Sequence, residues 1–140
     1  MRWGPGMCEP YRCAYTRLMP SASHDEIELR EIAPGYSSRF ADWGGITVAF
    51  EKAHAGQDAS AMVKGLPGDR CQAPHWGFLF SGKIVVHFDD RTETIEGGQA
   101  YYIAPGHAIE FLEDSEALEF TPTAALERTF AAIRRNSAEA

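Results

Sequence analysis

Turn signals recur about every 8–12 residues through most of this chain, and this spacing restricts its possible folds more than any other feature. Between the turns lie short segments in which apolar and polar residues alternate, as over residues 26–32. Such alternation is typical of strands with one buried face. Glycine and proline pairs, among them Pro34-Gly35 and Gly97-Gly98, separate the segments. The pattern predicts an all-β domain, either an antiparallel sandwich or a barrel.

The predicted strands are short and fill the middle of the chain. They cover residues 26–32, 46–52, 60–64, 77–81, 84–88, 91–96, 99–103, 108–112 and 117–121. Near the C-terminus the period changes, because Leu126, Phe130 and Ile133 lie at i, i+4 and i+7. This spacing places them on one face of a helix, which Thr121 can cap with Pro122 at its first position. We expect a helix over about residues 123–136, packed on the outside of the barrel or across a dimer.

The length of 140 residues fits one domain. The predicted division is an irregular N-terminal arm over residues 1–24, a barrel over 25–122, and a C-terminal helix and tail over 123–140. Two of the three cysteines, Cys8 and Cys13, lie in the arm. They are either reduced thiols of a tail or a metal or redox pair.

The charge of the chain excludes some classes of partner. A net charge of −7 argues against nucleic acid, since phosphate binding needs a basic face. It argues equally against a polybasic membrane anchor, and the sequence contains no apolar run long enough for a transmembrane helix. The first 20 residues have no apolar signal-peptide core, so we expect a cytoplasmic protein.

Residues that can bind metal ions converge on one part of the chain. Asp69, Cys71 and His75 lie at i, i+2 and i+6, and His107 follows in a Pro-Gly-His run. If the chain from 69 to 75 is roughly extended, alternate residues face the same way. Carboxylate, thiolate and imidazole are common ligands of divalent transition metals. The four residues therefore form a candidate metal site inside the barrel.

The same segments resemble the small single-domain cupins, an RmlC-like jelly-roll family. Taking Gly82 as the turn glycine of the first cupin motif, His75 occupies the usual glutamate position. Cys71 and Asp69 then occupy the two usual histidine positions. The resemblance is to a subgroup with Cys-Gln-x-Pro-His-Trp-Gly and Tyr-Tyr-x-x-Pro-Gly-His runs. It implies an antiparallel jelly-roll β-barrel and a rearranged Cys/His site.

The second cupin motif is also altered. Gly98 and Gly106 keep the separation of the motif's two glycines, while the proline moves by one position to Pro105. Ile109 occupies the usual histidine position, and His107 precedes it by two residues. The resemblance therefore implies the fold but not the family's usual set of metal ligands.

Two functions remain open from the sequence, besides a structural dimeric scaffold, which is favoured only if the barrel interior is fully packed with apolar side chains. The first is a metal-dependent enzyme of unassigned reaction that acts on a small molecule, with zinc as the first expectation and iron, nickel or manganese as alternatives. The second is a non-catalytic metabolite-binding or sensor module without metal. Glu51 and Glu110 are the candidate interior carboxylates for a general base. Because small barrels bury their edges by pairing, we also expect a homodimer.

Overall fold

The computed structural model describes residues 20–138, which fold into two antiparallel sheets and one long helix. This confirms the predicted jelly-roll class, although no continuous ladder closes the two sheets into one barrel. The nine strands of the described residues are β1 (Leu29–Ala33), β2 (Tyr36–Trp43), β3 (Ile46–Ala53), β4 (His75–Ser81), β5 (Lys83–His87), β6 (Thr92–Glu96), β7 (Ala100–Ile103), β8 (Ala108–Phe111) and β9 (Ser115–Pro122). The helix is α1 (Thr123–Ala138).

The larger sheet has the strand order β1-β2-β3-β9-β4-β7, and the smaller sheet has the order β6-β5-β8. The core lies between them, because its buried residues come from both sheets. Leu79 and Ile103 of the larger sheet are 1% exposed, and they pack in one cluster with Ile84, Val86 and Phe111 of the smaller sheet. The inward face of the larger sheet continues beyond this cluster and becomes polar.

The chain between β3 and β4 contains two 3₁₀-helices, Ala59–Val63 and Pro67–Asp69. The strand predicted over residues 60–64 is therefore wrong. A short apolar run cannot be assigned to a strand or a helix by periodicity alone. Asp58 decides for the helix, because its side chain accepts a hydrogen bond from the Ser60 amide and caps the first turn.

Helix α1 begins where β9 ends and lies across one end of the space between the sheets. Leu126, Phe130 and Ile133 line the same cavity as residues of β2, β3 and β9. Phe130 stacks on Phe40, with ring centroids 5.2 Å apart. The helix thus forms part of the wall of an interior cavity, and the expected packing across a dimer stays a prediction.

The predicted arm over residues 1–24, with Cys8 and Cys13, lies outside the described residues except for its last five positions. The last two residues of the predicted tail lie outside them as well. Of the helices in the described part of the chain, none combines the length and apolar character needed to cross a membrane.

Candidate metal centre

Backbone pairing brings Cys71 and His107 together. The Cys71 amide donates to the His107 carbonyl at 2.7 Å, and the His107 amide donates back at 3.2 Å. Gly106 enables this approach, because it adopts a φ of +91° and its amide also donates to the Cys71 carbonyl at 2.8 Å. The Pro-Gly-His run is therefore a turn that holds the His107 ring against the cysteine.

His75 is the first residue of β4, and its ring points into the space between the sheets. Its neighbours alternate between the two faces, so that His75 and Leu79 are buried while Trp76 is exposed. The rings of His75 and His107 lie 4.9 Å apart in an edge-to-face arrangement. Two imidazoles and one thiol, all buried, thus meet at one point.

The three side chains form a group that could hold a metal ion. Their ligand atoms all lie within 4.8 Å of one another, and the Cys71 Sγ lies 3.6 Å from the His75 Nε2. Tetrahedral zinc with ordinary Zn–S and Zn–N bond lengths would hold these two atoms about 3.5 Å apart. The cysteine and histidine are therefore placed as two ligands of one ion would be, without any rearrangement of the backbone.

Hydrogen bonds to the other ring nitrogen orient the ring of each histidine. The Nδ1 of His107 donates to the Ala104 carbonyl at 2.7 Å. The Nδ1 of His75 lies 2.9 Å from a Glu119 carboxylate oxygen and 2.7 Å from the Thr121 hydroxyl. Both Nε2 atoms are left to face the cysteine. Carboxylates and carbonyls orient metal-binding histidines in this same way.

The charges in the group support one another. Burial alone would raise the pKa of Cys71, but its hydrogen bonds with His107 and His75 lower it to about 5, so the thiolate is formed at neutral pH. Burial alone would lower the pKa of His75, but the Glu119 charge and the Cys71 thiolate raise it. Burial would likewise raise the pKa of Glu119, and the facing His75 lowers it instead. A thiolate is the form of cysteine that binds metals.

Asp69 is the one predicted ligand that the structure does not bring into the group. Its carboxylate accepts a hydrogen bond from the Gly65 amide at 2.8 Å. Gly68 and Asp69 both have positive φ angles, of +64° and +54°, so the chain there turns and is not extended. The alternation that would have aimed Asp69 with Cys71 therefore does not apply.

Three residues of the site were missed by the sequence reasoning: Glu119, Thr121 and Thr129. The Thr129 hydroxyl lies 3.3 Å from the Cys71 Sγ and comes from α1. Glu119 and Thr121 had a signal, since they alternate with exposed Phe120 on a predicted strand and a buried glutamate needs a partner. Thr129 had none, because its place depends on how the helix packs.

The two candidate general bases separate in the structure. Glu110 is half-exposed and pairs with His87 at 2.9 Å, away from the metal-binding group. Glu51 lines a cavity of about 90 Å³ together with Cys71, His75 and His107. Burial and the nearby Glu119 charge raise the pKa of Glu51 to about 8. Glu51 therefore carries a proton at neutral pH and can exchange it with a bound molecule.

The raised pKa of Glu51 predicts a pH-dependent stability. An unfolded glutamate has a pKa near 4.5, so between about pH 4.5 and pH 8 the folded protein retains a proton that the unfolded chain releases. Stability therefore falls as the pH rises through this window. Glu51→Gln removes the effect, and we expect the metal-free variant to exceed wild type by as much as about 4 kcal/mol near pH 8 and to match it near pH 4. Urea unfolding in a chelator measures this, and a difference that is constant with pH would contradict it.

Comparison with known proteins finds solved structures with a similar fold. No protein-family model matches the chain, and no curated protein matches it in sequence. Among solved structures it is similar to KdgF from Halomonas sp., with a TM-score of 0.53, 17% identity, and coverage of 71% of this chain and 92% of that one. It is also similar to an RmlC-like cupin from Shewanella frigidimarina, with a TM-score of 0.54, 11% identity, and coverage of 72% and 88%.

A third similar structure is FeII HppE, with a TM-score of 0.55, 10% identity, and coverage of 74% of this chain and 60% of that one. At these identities the likeness shows the fold alone. The protein is thus a cupin-fold domain, as the glycine and turn pattern of its sequence implied. Its candidate centre is a Cys/His/His group at one end of an interior cavity.

Proposed function

We propose that this protein is a metal-dependent cupin-fold enzyme that acts on a small molecule in the cavity beside Cys71, His75 and His107. The observation that carries the proposal is the convergence of three ligand atoms within 4.8 Å at the wall of that cavity. Three protein ligands leave a further position of the ion open, as catalytic zinc sites require. The similar FeII HppE supports metal-dependent chemistry on this fold, and zinc is our first choice because the ligand set is soft.

The residues around the proposed metal centre would have different roles in the reaction. A divalent ion there would polarise an oxygen of the bound molecule or activate water. Glu119 holds the His75 ring through Nδ1 and balances its charge, and Tyr101 donates to the same carboxylate at 2.8 Å. Glu51 faces the cavity with a proton to give. Helix α1 supplies part of the cavity wall through Leu126, Phe130 and Ile133.

Metal uptake tests the proposal directly. Untagged protein, stripped with a chelator and then given zinc, iron(II), nickel or manganese, should retain about one ion per chain. At a metal concentration 100 times the Kd, the binding free energy should raise the Tm by roughly 10 °C. Elemental analysis and thermal unfolding measure the two effects. A protein that takes up none of the four ions, with an unchanged Tm, would favour the non-catalytic metabolite-binding module.

We also propose that the protein is a homodimer formed through an aromatic face on the outside of the larger sheet. This face consists of Trp76, Phe78, Phe80, Tyr102 and Phe120, which are 38–55% exposed. At ordinary aromatic side-chain areas it presents roughly 450 Å² of apolar surface, about half of what one partner contributes to a standard interface. An exposed apolar patch of this size often marks an interaction site, and a second copy supplies a matching one through two-fold symmetry.

Substitution of two residues of this face tests the dimer. Trp76→Ser with Phe80→Ser should convert a dimeric wild type into a monomer, because central aromatic residues dominate interface energies. Leu112→Ser is the control, since Leu112 is 44% exposed but lies outside the face. Light scattering after size-exclusion chromatography over a dilution series measures the mass. A monomeric wild type, or a dimer that survives the double substitution, would contradict the proposal.

A further inference from the structure

A second polar cluster lies on the wall of the same cavity, apart from the metal-binding group. Ser38 of β2 and Glu51 of β3 are direct partners in the antiparallel ladder, and both line the cavity. The Tyr36 hydroxyl hydrogen-bonds to Glu51 from the same side. The Nδ1 of His75 already has two partners, Glu119 and Thr121, and it contacts none of these three residues. The cluster is therefore open to a group that enters the cavity.

Ser38 is the residue that points to a ligand. It is 3% exposed, yet its hydroxyl has no hydrogen-bond partner among the described residues. A buried hydroxyl without a partner destabilises a protein by about 1–3 kcal/mol. Ser37 and Arg39, its neighbours on β2, alternate to the opposite face. A group that enters the cavity is placed to supply the missing partner.

The remaining lining limits what this ligand can be. Among the described residues that line the cavity, none is a lysine or an arginine, whereas Glu51 and Glu119 are both present. A phosphate or a carboxylate bound beside Ser38 and Glu51 would therefore find no lysine or arginine of the lining to pair with. Most other lining side chains are apolar, such as Phe40, Met62 and Ile109. The cavity of about 90 Å³ has room for only about six to nine groups of water size.

Resting on the proposed metal site, we propose that Ser38 and Glu51 form a second subsite that binds a hydroxyl group of a small uncharged ligand. The other end of this ligand places an oxygen at the Cys71/His75/His107 group. The substrate class is then a short hydroxylated carbonyl compound or polyol without a phosphate. Ser38 can accept from or donate to the ligand hydroxyl, and Glu51 occupies the adjacent position.

A matched pair of probes tests the subsite on zinc-loaded protein. Hydroxamic acids bind divalent metals, and β-hydroxypropionohydroxamic acid differs from butyrohydroxamic acid only by a terminal hydroxyl in place of a methyl. We expect wild type to bind the hydroxylated probe about 5–10-fold more tightly, the effect of one hydrogen bond. The hydroxamic acid of succinic acid, which ends in a carboxylate, should bind more weakly than both. Titration calorimetry measures the three affinities.

Substitutions assign the preference to its residue. Ser38→Ala should abolish the preference for the hydroxylated probe and leave butyrohydroxamic acid binding unchanged. Ser37→Ala, on the opposite face of the same strand, should keep the preference. Equal binding of the two probes to wild type, or a preference that survives Ser38→Ala, overturns the subsite and leaves the metal site standing. If neither probe binds the zinc-treated protein, the metal site and the subsite fall together.

Discussion

Replacement of Cys71 by alanine should lower the zinc affinity of the protein by more than about 100-fold. The thiolate is one of three ligands, and its pKa near 5 means that wild type presents it already deprotonated at neutral pH. Alanine removes the ligand and retains the backbone pairing of residue 71 with His107. His107→Gln should give a loss of similar size, because the substitution removes the ring nitrogen that His107 offers as a ligand of the same group. Competition against a chromophoric chelator measures these affinities.

Two control variants separate loss of a ligand from general damage. His87→Gln removes a half-exposed histidine that pairs with Glu110 away from the group, and zinc affinity should not change. Thr129→Val removes the hydroxyl that contacts the Cys71 Sγ, but it leaves all three ligands in place. The loss of zinc affinity should therefore stay below about tenfold. If Cys71→Ala binds zinc as wild type does, the ion lies elsewhere and the proposed centre is wrong.

The sequence could predict the fold because the fold depends on local signals. Period-two alternation and turn glycines mark most strands, and Gly82 adopts a φ of +97° at the turn between β4 and β5. Strand β2 was missed because its inward face carries Ser38 beside Tyr36 and Phe40, so it has no clean apolar alternation. That irregularity has a structural cause, since the face lines a cavity and not the packed core.

The candidate site was only partly predictable for a different reason. Cys71, His75 and His107 were within reach of sequence reasoning, because their residue types are ligands and their segments match cupin motifs. Asp69 was grouped with them on the assumption of an extended chain, which the positive φ angles of Gly68 and Asp69 invalidate. Thr129 reaches Cys71 only through the packing of α1, and no local pattern encodes that contact.

Glu119→Gln should lower zinc affinity by about 10–100-fold, although Glu119 is not a ligand in the proposed centre. The carboxylate accepts a hydrogen bond from the Nδ1 of His75 at 2.9 Å. This bond fixes the ring and makes its Nε2 a more basic ligand for the ion. Glutamine keeps the size of the side chain and removes the charge. The lowered pKa of Glu119 also means that its charge stabilises the metal-free fold above the ordinary carboxyl pKa, and this contribution disappears as the pH falls through the lower folded value.

The comparison with Tyr101→Phe decides whether the charge or the hydrogen-bond network is responsible. Phenylalanine removes the hydroxyl that donates to Glu119 at 2.8 Å, but the carboxylate and its contact with His75 remain. If the charge controls the basicity of His75, Tyr101→Phe should lower zinc affinity by less than about tenfold and Glu119→Gln by much more. Equal losses in the two variants would show that the network merely positions the ring. An unchanged affinity in Glu119→Gln would mean that His75 binds metal without help from this carboxylate.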